Sequence, residues 1–384
     1  MPAMSMKSLL RLEVSASAVA HNLRLIADHV GPGVRLCAAV KADCYGHGLD
    51  FLLPTIAEQA SVFVAMPEEA VHVRRMGRSV PVLVLFSAAA YLEGPERREA
   101  ITEMIRLGAI QTIVAKDELS PLAAAAAAVG MPAEVHVKVD TGMTRSGVRP
   151  EQAPELIERI RANPGLKLTG ILSHFATADE EDLSEARRQL DRFRQTVRTC
   201  SGPEELTLHI ANSPALLDMP DTHFNMVRPG IIVYGHQPSP YVRNRLPLRP
   251  AIRLSGRLLT IKDVPAGSRC GYGLTRELTR PSRVARVPIG YGDGYLRSLS
   301  NRAVVRIHRQ DAPILGRVSM DQLIVDVTGI PQARMGDEVE IISNDPHAPN
   351  SVENLARLAG TVPHDICCQL KGRRMERVLV TDDG

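Results

Sequence analysis

The chain has 384 residues, of which 44% are hydrophobic, and a formal net charge of +3 that is spread along its length. This length predicts either two domains or one large barrel with an extension. Because no block of lysine and arginine is interleaved with aromatic residues, the sequence argues against a nucleic-acid partner. Because no apolar run approaches about 18 residues, it also argues against a membrane span.

The N-terminal segment and the cysteines indicate the compartment. Residues 1–12 contain no apolar segment followed by a cleavage site, so they are unlike a secretion signal. The six cysteines occur without a CxxC pair. They therefore predict reduced thiols in a cytoplasmic protein rather than a disulfide framework, and they predict no metal site.

The first two thirds of the chain alternate helical patterns with apolar runs that predict buried strands. A helix is predicted behind the cap residue Ser15, and another between Ser120-Pro121 and Gly130, across six alanines. The eight runs rich in valine, isoleucine and leucine are residues 34–41, 62–66, 82–86, 110–115, 133–140, 168–175, 206–213 and 226–234. Eight alternations predict a (β/α)8 TIM-type barrel. A doubly wound open sheet remains the alternative, because periodicity does not reveal closure.

The remaining third of the chain has a different pattern. Residues 237–250 hold four prolines and predict a linker. Short strand-like runs follow at residues 252–261, 283–289, 303–307, 322–327, 338–342 and 377–380, with one helix at 352–358. We therefore predict an α/β fold with an N-terminal (β/α)8 barrel at residues 1–240 and a C-terminal mostly β domain at residues 241–384.

Lys41 is the first candidate catalytic residue. It ends an apolar run and precedes Tyr45, Gly46 and Gly48, which form a polar, tight turn. Burial lowers the pKa of an amine and makes it a nucleophile towards an aldehyde. A lone lysine at a strand end more often extends its ammonium into water. The turn that follows, and the position at the C-terminal end of a barrel strand, favour the catalytic interpretation.

Residues 38–48 have the sequence AAVKADCYGHG, which is similar to the cofactor-lysine segment of the alanine racemases. The similarity continues in the same order at residues 137–143, 173–179, 211–213, 228–231, 271–273, 290–295 and 316–321. These segments identify the chain as a member of that family. The resemblance implies a pyridoxal-phosphate-dependent enzyme that interconverts L- and D-alanine and supplies D-alanine for peptidoglycan. It also implies a head-to-tail homodimer whose subunits complete each other's sites.

The resemblance implies a role for each of four residues in catalysis. Lys41 binds the cofactor aldehyde and acts as the base on the D-isomer, and Tyr272 is the base on the L-isomer from the opposite face. Inverting a carbon requires a proton to leave on one side and arrive on the other, so two bases are needed. His174 supports Tyr272 and is linked to Arg228, which faces the pyridine nitrogen. A guanidinium does not give up a proton, so that nitrogen stays unprotonated.

The same four residues have other interpretations when each is taken alone. His174 fits a buried structural imidazole, Tyr272 a turn residue between glycines, and Arg228 a surface ion pair.

The resemblance also implies where the phosphate and the substrate bind. The cofactor-binding residues are Tyr45, Asn212, Ser213, Gly230, Ile231 and His364. The substrate-binding residues are Arg145, Met320, Tyr291 and Asp321, and Lys138 matches a lysine that is often carbamylated and positions Arg145. From the residues alone, Ser213 also fits a helix cap and Lys138 an ion pair with Asp140, while Tyr291 and Asp321 could be core and turn groups.

Two positions depart from the family pattern. His364 stands where many members carry a phosphate-contacting tyrosine, and Ser319 where cysteine is common. An imidazole also donates to phosphate, so we expect phosphate binding to persist. These substitutions change the pocket wall, so the alternative function is a racemase of broader specificity that acts on serine, lysine or arginine. A decarboxylase of similar architecture is a second alternative, but the sequence contains no convincing glycine-rich phosphate loop of the decarboxylase type. A barrel that only binds the cofactor is disfavoured by the domain that carries Tyr272.

Overall fold

The computed structural model describes residues 8–77, 79–372 and 374–380. Strand β1 (Leu10–Ser15) leads into helix α1 (Ala16–Val30), which begins as the sequence predicts. The Ser15 side chain accepts a hydrogen bond of 3.1 Å from the backbone N–H of Ala18 and so caps the helix. The strand before the cap is absent from the prediction.

Eight parallel strands follow and form one sheet in the order β8-β7-β6-β5-β4-β3-β2-β9. They are β2 (Arg35–Ala39), β3 (Ser61–Val64), β4 (Val82–Val84), β5 (Ala109–Ile113), β6 (Ala133–Lys138), β7 (Leu166–Leu172), β8 (Thr207–His209) and β9 (Met226–Val227). The two end strands approach each other, and the Arg228 N–H donates to the Ala211 carbonyl over 2.9 Å. The Asn225 side chain bonds the backbone of Leu206 and Leu208 at the same junction. The predicted barrel is confirmed over the open sheet.

Helices connect the barrel strands and cover the outside of the sheet. They are α2 (Lys41–Tyr45), α3 (Leu49–Ala57), α4 (Pro67–Arg75), α5 (Ala88–Tyr91), α6 (Gly94–Arg106), α7 (Leu119–Val129), α8 (Ala153–Arg161), α9 (Ser184–Arg198) and α10 (Ser213–Asp218). Helix α7 begins at Leu119, so the predicted cap Ser120 lies inside it, while Gly130 ends it with a φ of 75°.

The run at residues 226–234 is not one continuous strand. Strand β9 covers only two residues, and a 3-10 helix (Ile231–Tyr234) replaces the rest. Pro229 has no N–H to extend the ladder, and Gly230 turns the chain with φ −118° and ψ −98°. The chain therefore bends at the C-terminal mouth of the barrel.

The C-terminal domain is mostly β, as predicted. Its elements are β10 (Ile252–Arg257), β11 (Thr260–Val264), β12 (Arg269–Cys270), β13 (Arg276–Glu277), β14 (Ser282–Val287), β15 (Val304–Ile307), β16 (Gln310–Pro313), β17 (Leu323–Asp326), β18 (Glu338–Ile342), α11 (Val352–Ala359), α12 (Pro363–Gln369) and β19 (Met375–Val380). The main sheet has the order β16-β15-β18-β10-β1-β19. Strand β1 pairs antiparallel with β10 and parallel with β19, so the N-terminal segment lies within the C-terminal sheet.

One hydrophobic core extends from the barrel into the C-terminal domain. All six cysteines are free thiols and five of them are buried. Among the described residues, no helix is both long and apolar enough to cross a membrane.

Candidate active site

The segment Lys41–Tyr45, labelled α2 above, is a left-handed turn after strand β2 rather than a regular right-handed helix. Residues 42–45 have φ between 51° and 56°, although none of them is glycine. Each L-residue in this conformation costs roughly 1–2 kcal/mol, so the turn forms only because its surroundings hold it. The Glu69 carboxylate accepts the Ala42 N–H over 2.7 Å. Asp43 accepts the Leu49 N–H over 2.7 Å and the Arg377 guanidinium over 2.6 Å.

Lys41 shares the barrel mouth with four other groups that can carry positive charge. Burial lowers the pKa of Lys41, Arg145 lowers it further, and Glu69 opposes them. Burial, followed by Arg145 and Arg228, lowers the pKa of Lys138 to about 8. The pKa of His174 lies well below its ordinary value because of burial and the same cations. A pocket in which the cations repel one another is suited to an anionic ligand.

Arg228 lies at the centre of this pocket and is 3% exposed. Its guanidinium donates to the ring nitrogen of His209 over 2.8 Å, to the Ser173 carbonyl over 2.6 Å and to His174 Nδ1 over 3.2 Å. Burial lowers its pKa to about 10, so it remains charged near neutral pH. The interpretation of Arg228 as part of a surface ion pair is therefore wrong.

A chain of hydrogen bonds extends from Arg228 into the barrel interior, and the sequence prediction missed it. Arginine only donates, so His209 Nδ1 accepts and His209 Nε2 carries the proton. That nitrogen lies 2.9 Å from His136 Nδ1. Gly170 leaves the necessary space, because a Cβ there would lie 2.6 Å from His136 Nε2. The available signal was a histidine between apolar neighbours in each of two predicted strands: His136 stands between Val135 and Val137, and His209 between Leu208 and Ile210.

The proposed phosphate residues meet where strands β8 and β9 end. Ser213 Oγ accepts the Gly230 N–H over 2.9 Å. A Cβ at Gly230 would lie 2.7 Å from the Tyr45 hydroxyl oxygen, so only glycine fits without displacing that side chain. The Tyr45 ring lies 5.4 Å from the His364 ring, between centroids. Hydroxyls, an imidazole and backbone N–H groups at this position suit a phosphate dianion.

The remaining barrel residues named from the sequence are Asn212, Ile231 and Lys138. Asn212, rather than Ser213, caps helix α10, since its side chain accepts the Ala215 N–H over 3.2 Å. Ile231 begins the 3-10 helix that follows Gly230. The suggested ion pair of Lys138 with Asp140 is absent from the described residues, and Asp140 instead accepts backbone N–H groups of its own loop.

Tyr291 and Met320 lie together on the surface of the C-terminal domain, and the segment of Tyr272 packs nearby, since a Cβ at Gly271 would lie 3.2 Å from the Arg317 backbone nitrogen. The Tyr291 N–H donates to the Ser319 carbonyl over 3.0 Å, and the Gly292 N–H donates to the Met320 carbonyl over 2.9 Å. Four large apolar or aromatic side chains here are between 44% and 70% exposed, and we call them the aromatic face: Tyr272, Leu274, Tyr291 and Met320. At its edge, Asp321 lies 3.4 Å from the Arg374 guanidinium.

The site residues named from the sequence thus form two groups. Lys41, Tyr45, Lys138, His174 and Arg228 belong to the barrel mouth, while Tyr272 belongs to the aromatic face. In residues 8–77, 79–372 and 374–380, no hydrogen bond, ion pair or ring contact joins the aromatic face to the barrel group.

Comparison with known proteins gives a consistent result over the whole chain. The model of the alanine racemase N-terminal domain matches residues 14–238, and that of the C-terminal domain matches residues 251–379. An alanine racemase of Desulfovibrio desulfuricans is 38% identical over 96% of this chain and 97% of its own. The crystal structure of an alanine racemase from Streptomyces lavendulae superposes with a TM-score of 0.90 at 32% identity, covering 98% of each chain.

A further solved structure carries the cofactor. The alanine racemase of Bartonella henselae, crystallised with covalently bound pyridoxal phosphate, has a TM-score of 0.85 at 28% identity and covers 97% of this chain. The barrel, the β domain and these matches define an isomerase of the racemase class. The chain belongs to the alanine racemase family.

Proposed function

We propose that this protein interconverts L- and D-alanine with pyridoxal phosphate bound covalently to Lys41. The observation that carries the proposal is the cationic pocket at the barrel mouth, in which a lysine of lowered pKa lies among Arg145, Lys138 and Arg228. The cofactor has an aldehyde for the lysine, a phosphate and a ring nitrogen. When bound, it withdraws electrons from the substrate Cα–H bond.

The residues present fit each part of that cofactor. The cradle of Ser213, Tyr45 and Gly230 would hold the phosphate, assisted by residues 212 and 231. His364 stands beside Tyr45, and burial, followed by Lys41 and His236, lowers its pKa to about 4. A phosphate dianion beside it would raise this pKa again, and an imidazole donates to phosphate in either protonation state. Arg228 would face the ring nitrogen and, because it keeps its proton, leave that nitrogen unprotonated.

Proton transfer is assigned to two side chains on opposite faces of the substrate. Lys41 would hold or release a proton at Cα on one face, which its lowered pKa favours. His174 Nδ1 accepts from Arg228, so its proton is on Nε2 and can be donated to the Tyr272 oxygen. Tyr272 would serve the other face. Arg145 would bind the carboxylate, supported by Lys138, while Met320, Tyr291 and Asp321 would line the substrate pocket.

The Tyr272 assignment requires a second copy of the chain. Tyr272 is 70% exposed and belongs to the aromatic face, which one chain leaves uncovered. A head-to-tail homodimer would place this face over the partner's barrel mouth and exclude water from both sites. We further propose a division at residues 1–240 and 241–384, except that strand β1 joins the C-terminal sheet. We also propose a cytoplasmic location and a supply of D-alanine to peptidoglycan.

The test uses purified protein and chiral chromatography. L-Alanine should yield D-alanine as the dominant product, with L-serine, L-lysine and L-arginine turned over far more slowly. Reduction with borohydride followed by peptide mapping should find the cofactor mass on the Lys41 peptide. A cofactor on Lys41 without D-alanine would overturn the substrate assignment, and comparable turnover of the other amino acids would indicate a broader racemase.

A further inference from the structure

A second cluster of buried polar side chains lies behind the phosphate residues, and the proposed reaction does not use it. It consists of His47, His236 and Cys367, whose potential ligand atoms all lie within 4.8 Å of one another. Both histidines are 0% exposed, and so is the cysteine. His47 follows the Lys41 turn, His236 follows the 3-10 helix after β9, and Cys367 lies on α12. We call these residues the His2Cys cluster.

The hydrogen bonds of His47 determine which ring nitrogen is free. Its Nδ1 lies 2.9 Å from the Cys44 carbonyl and 3.1 Å from the Tyr45 carbonyl. Carbonyl oxygens only accept, so Nδ1 carries the proton and Nε2 keeps its lone pair. This Nε2 is fully buried and has no hydrogen-bond partner among the described residues.

His236 has the same arrangement on the opposite side of the cluster. Its Nδ1 lies 3.1 Å from the Glu353 carboxylate, and its Nε2 is likewise buried without a partner in the described chain. The Glu353 carboxylate accepts the Nδ1 proton, so the lone pair of Nε2 faces the cluster.

Both histidines have the outer contacts that are typical of metal ligands. A ligating imidazole usually donates its second N–H to a carboxylate or a backbone carbonyl, which fixes the ring and leaves the other nitrogen for the ion. Glu353 fills this role for His236, and the carbonyls of Cys44 and Tyr45 fill it for His47. Unpaired buried nitrogens are rare in proteins. The single thiol proton of Cys367 can pair with one of the two Nε2 atoms at most, so one buried nitrogen still requires an explanation.

We propose that the His2Cys cluster binds one zinc ion through His47, His236 and the thiolate of Cys367. Two imidazoles and one thiolate form a ligand set that zinc prefers, with the fourth position left to water. Tetrahedral zinc places such ligands roughly 3.4 Å apart, so the three side chains need to close by about 1.4 Å at most. The proposal stands independently of the racemase reaction.

The ion would join helix α12 of the C-terminal domain to two loops of the barrel. These elements already touch, since a Cβ at Gly46 would lie 2.2 Å from the Cys367 carbonyl oxygen. His364 is on the same helix and faces Tyr45. Zinc at this position would therefore hold the phosphate residues from behind without contacting the substrate.

The experiment measures zinc in the full-length holoenzyme. Protein treated with a chelator is loaded with zinc sulfate, dialysed against metal-free buffer and analysed by inductively coupled plasma mass spectrometry. We expect one zinc per chain in the wild type, and less than a tenth of that in Cys367→Ser. The matched control is Cys368→Ser, which changes the adjacent half-buried thiol and should retain the ion. Because both variants keep the cofactor, metal bound to the cofactor would remain in both.

Cobalt(II) chloride serves as a spectroscopic probe of the thiolate. Wild type and Cys368→Ser should show a sulfur-to-cobalt charge-transfer band in the difference spectrum, and Cys367→Ser should not. Glu353→Gln leaves all three ligands in place and should bind zinc about 10- to 100-fold more weakly, so it tests the site even if Cys367→Ser misfolds. Wild type without retained zinc, or equal zinc in Cys367→Ser, would overturn the proposal.

Discussion

The two halves of the proposed active site differ in how completely one chain builds them. In the barrel half, Arg228 is 3% exposed and hydrogen-bonded on several sides, and Glu69 and Asp43 hold the strained Lys41 turn. In the C-terminal half, Tyr272 is 70% exposed, and the structure describes no hydrogen bond to its side chain. A catalytic group needs neighbours that hold it in position. The barrel half is therefore preorganised, whereas the other half requires a second surface.

The largest effect is expected at the barrel half. Lys41→Ala removes both the amine that binds the cofactor and one of the two bases. Racemisation should fall at least about 10,000-fold in both directions, and borohydride should no longer fix the cofactor to the chain. The assay is chiral chromatography at saturating cofactor.

The matched control for this variant is Lys167→Ala, which removes an exposed lysine paired with Glu134 at 2.7 Å. Its activity should stay close to wild type, because such a surface pair contributes little. Covalent cofactor in Lys41→Ala at the wild-type level would contradict the assignment.

Tyr272→Phe tests the exposed half. The substitution keeps the ring and removes the hydroxyl, so cofactor binding should be unchanged while racemisation falls about 100- to 10,000-fold. Exchange of the Cα proton of D-alanine with deuterated water should survive better than exchange from L-alanine, since Lys41 remains. Tyr241→Phe, at another tyrosine that is 50% exposed, is the control. Full activity of Tyr272→Phe in both directions would rule out the two-base assignment.

Mixing the two inactive variants tests whether the halves belong to different subunits. In a head-to-tail dimer of one Lys41→Ala chain and one Tyr272→Phe chain, one site has both substitutions and the other has none. Random exchange of subunits makes half of the dimers mixed, and each mixed dimer has one intact site out of two. The mixture should therefore regain about a quarter of wild-type activity. If both halves act within one chain, mixing after subunit exchange should restore nothing.

The barrel and the C-terminal domain also differ in how well the sequence predicts their fold. The barrel strands were predicted because strands buried on both faces are apolar throughout, as in residues 62–64 and 82–84. Strand β1 was missed although Leu10, Leu12 and Val14 alternate with polar residues as in a half-buried strand. Its place in the C-terminal sheet was not predictable, because its partners, β10 and β19, lie more than 230 residues away in the chain. Helix α12 was missed because it has only seven residues and a mixed composition.

The site was predictable only in part. The family resemblance identifies Lys41, His174 and Arg228, but it does not show that His209 and His136 extend the network into the barrel. The direction of a side chain inside a barrel depends on register and closure, which periodicity does not reveal. The left-handed turn at residues 42–45 was also unpredictable, because its sequence contains no glycine and tertiary hydrogen bonds enforce the conformation.

Gly230→Ala disturbs the cradle for the phosphate without removing a reacting group. The added Cβ would lie 2.7 Å from the Tyr45 hydroxyl oxygen, so that side chain must move. Overpacking of this kind costs about 1–3 kcal/mol, and we expect cofactor affinity to fall about 10- to 100-fold. Equilibrium dialysis measures the affinity. Gly329→Ala is the control, because no atom lies within 4 Å of its added Cβ. Equal affinity in both variants would remove Gly230 from the phosphate site.

The smallest effect concerns the stability of the barrel half in acid. Burial, followed by Arg228 and Arg35, lowers the pKa of His136 from 6.5 to about 3. Between pH 3 and pH 6.5, the unfolded chain therefore binds one proton at this histidine that the folded chain does not bind. The contribution of His136 to the free energy of unfolding is fully present above pH 6.5 and falls as the pH drops towards 3, by about 1.4 kcal/mol per pH unit.

His136→Gln removes this titration, and its side-chain oxygen can still accept from His209. Its free energy of unfolding, measured by urea denaturation, should therefore depend less steeply on pH between 6.5 and 5, by one proton. His136→Leu also removes the titration but leaves the buried His209 N–H unpaired, which costs about 1–3 kcal/mol at every pH. A wild-type slope in His136→Gln would mean that other groups cause the acid sensitivity. A lower slope in His136→Gln with retained activity, together with lost activity in His136→Leu, would show that the hydrogen-bond network of Arg228 needs an acceptor at position 136 but not an ionisable one.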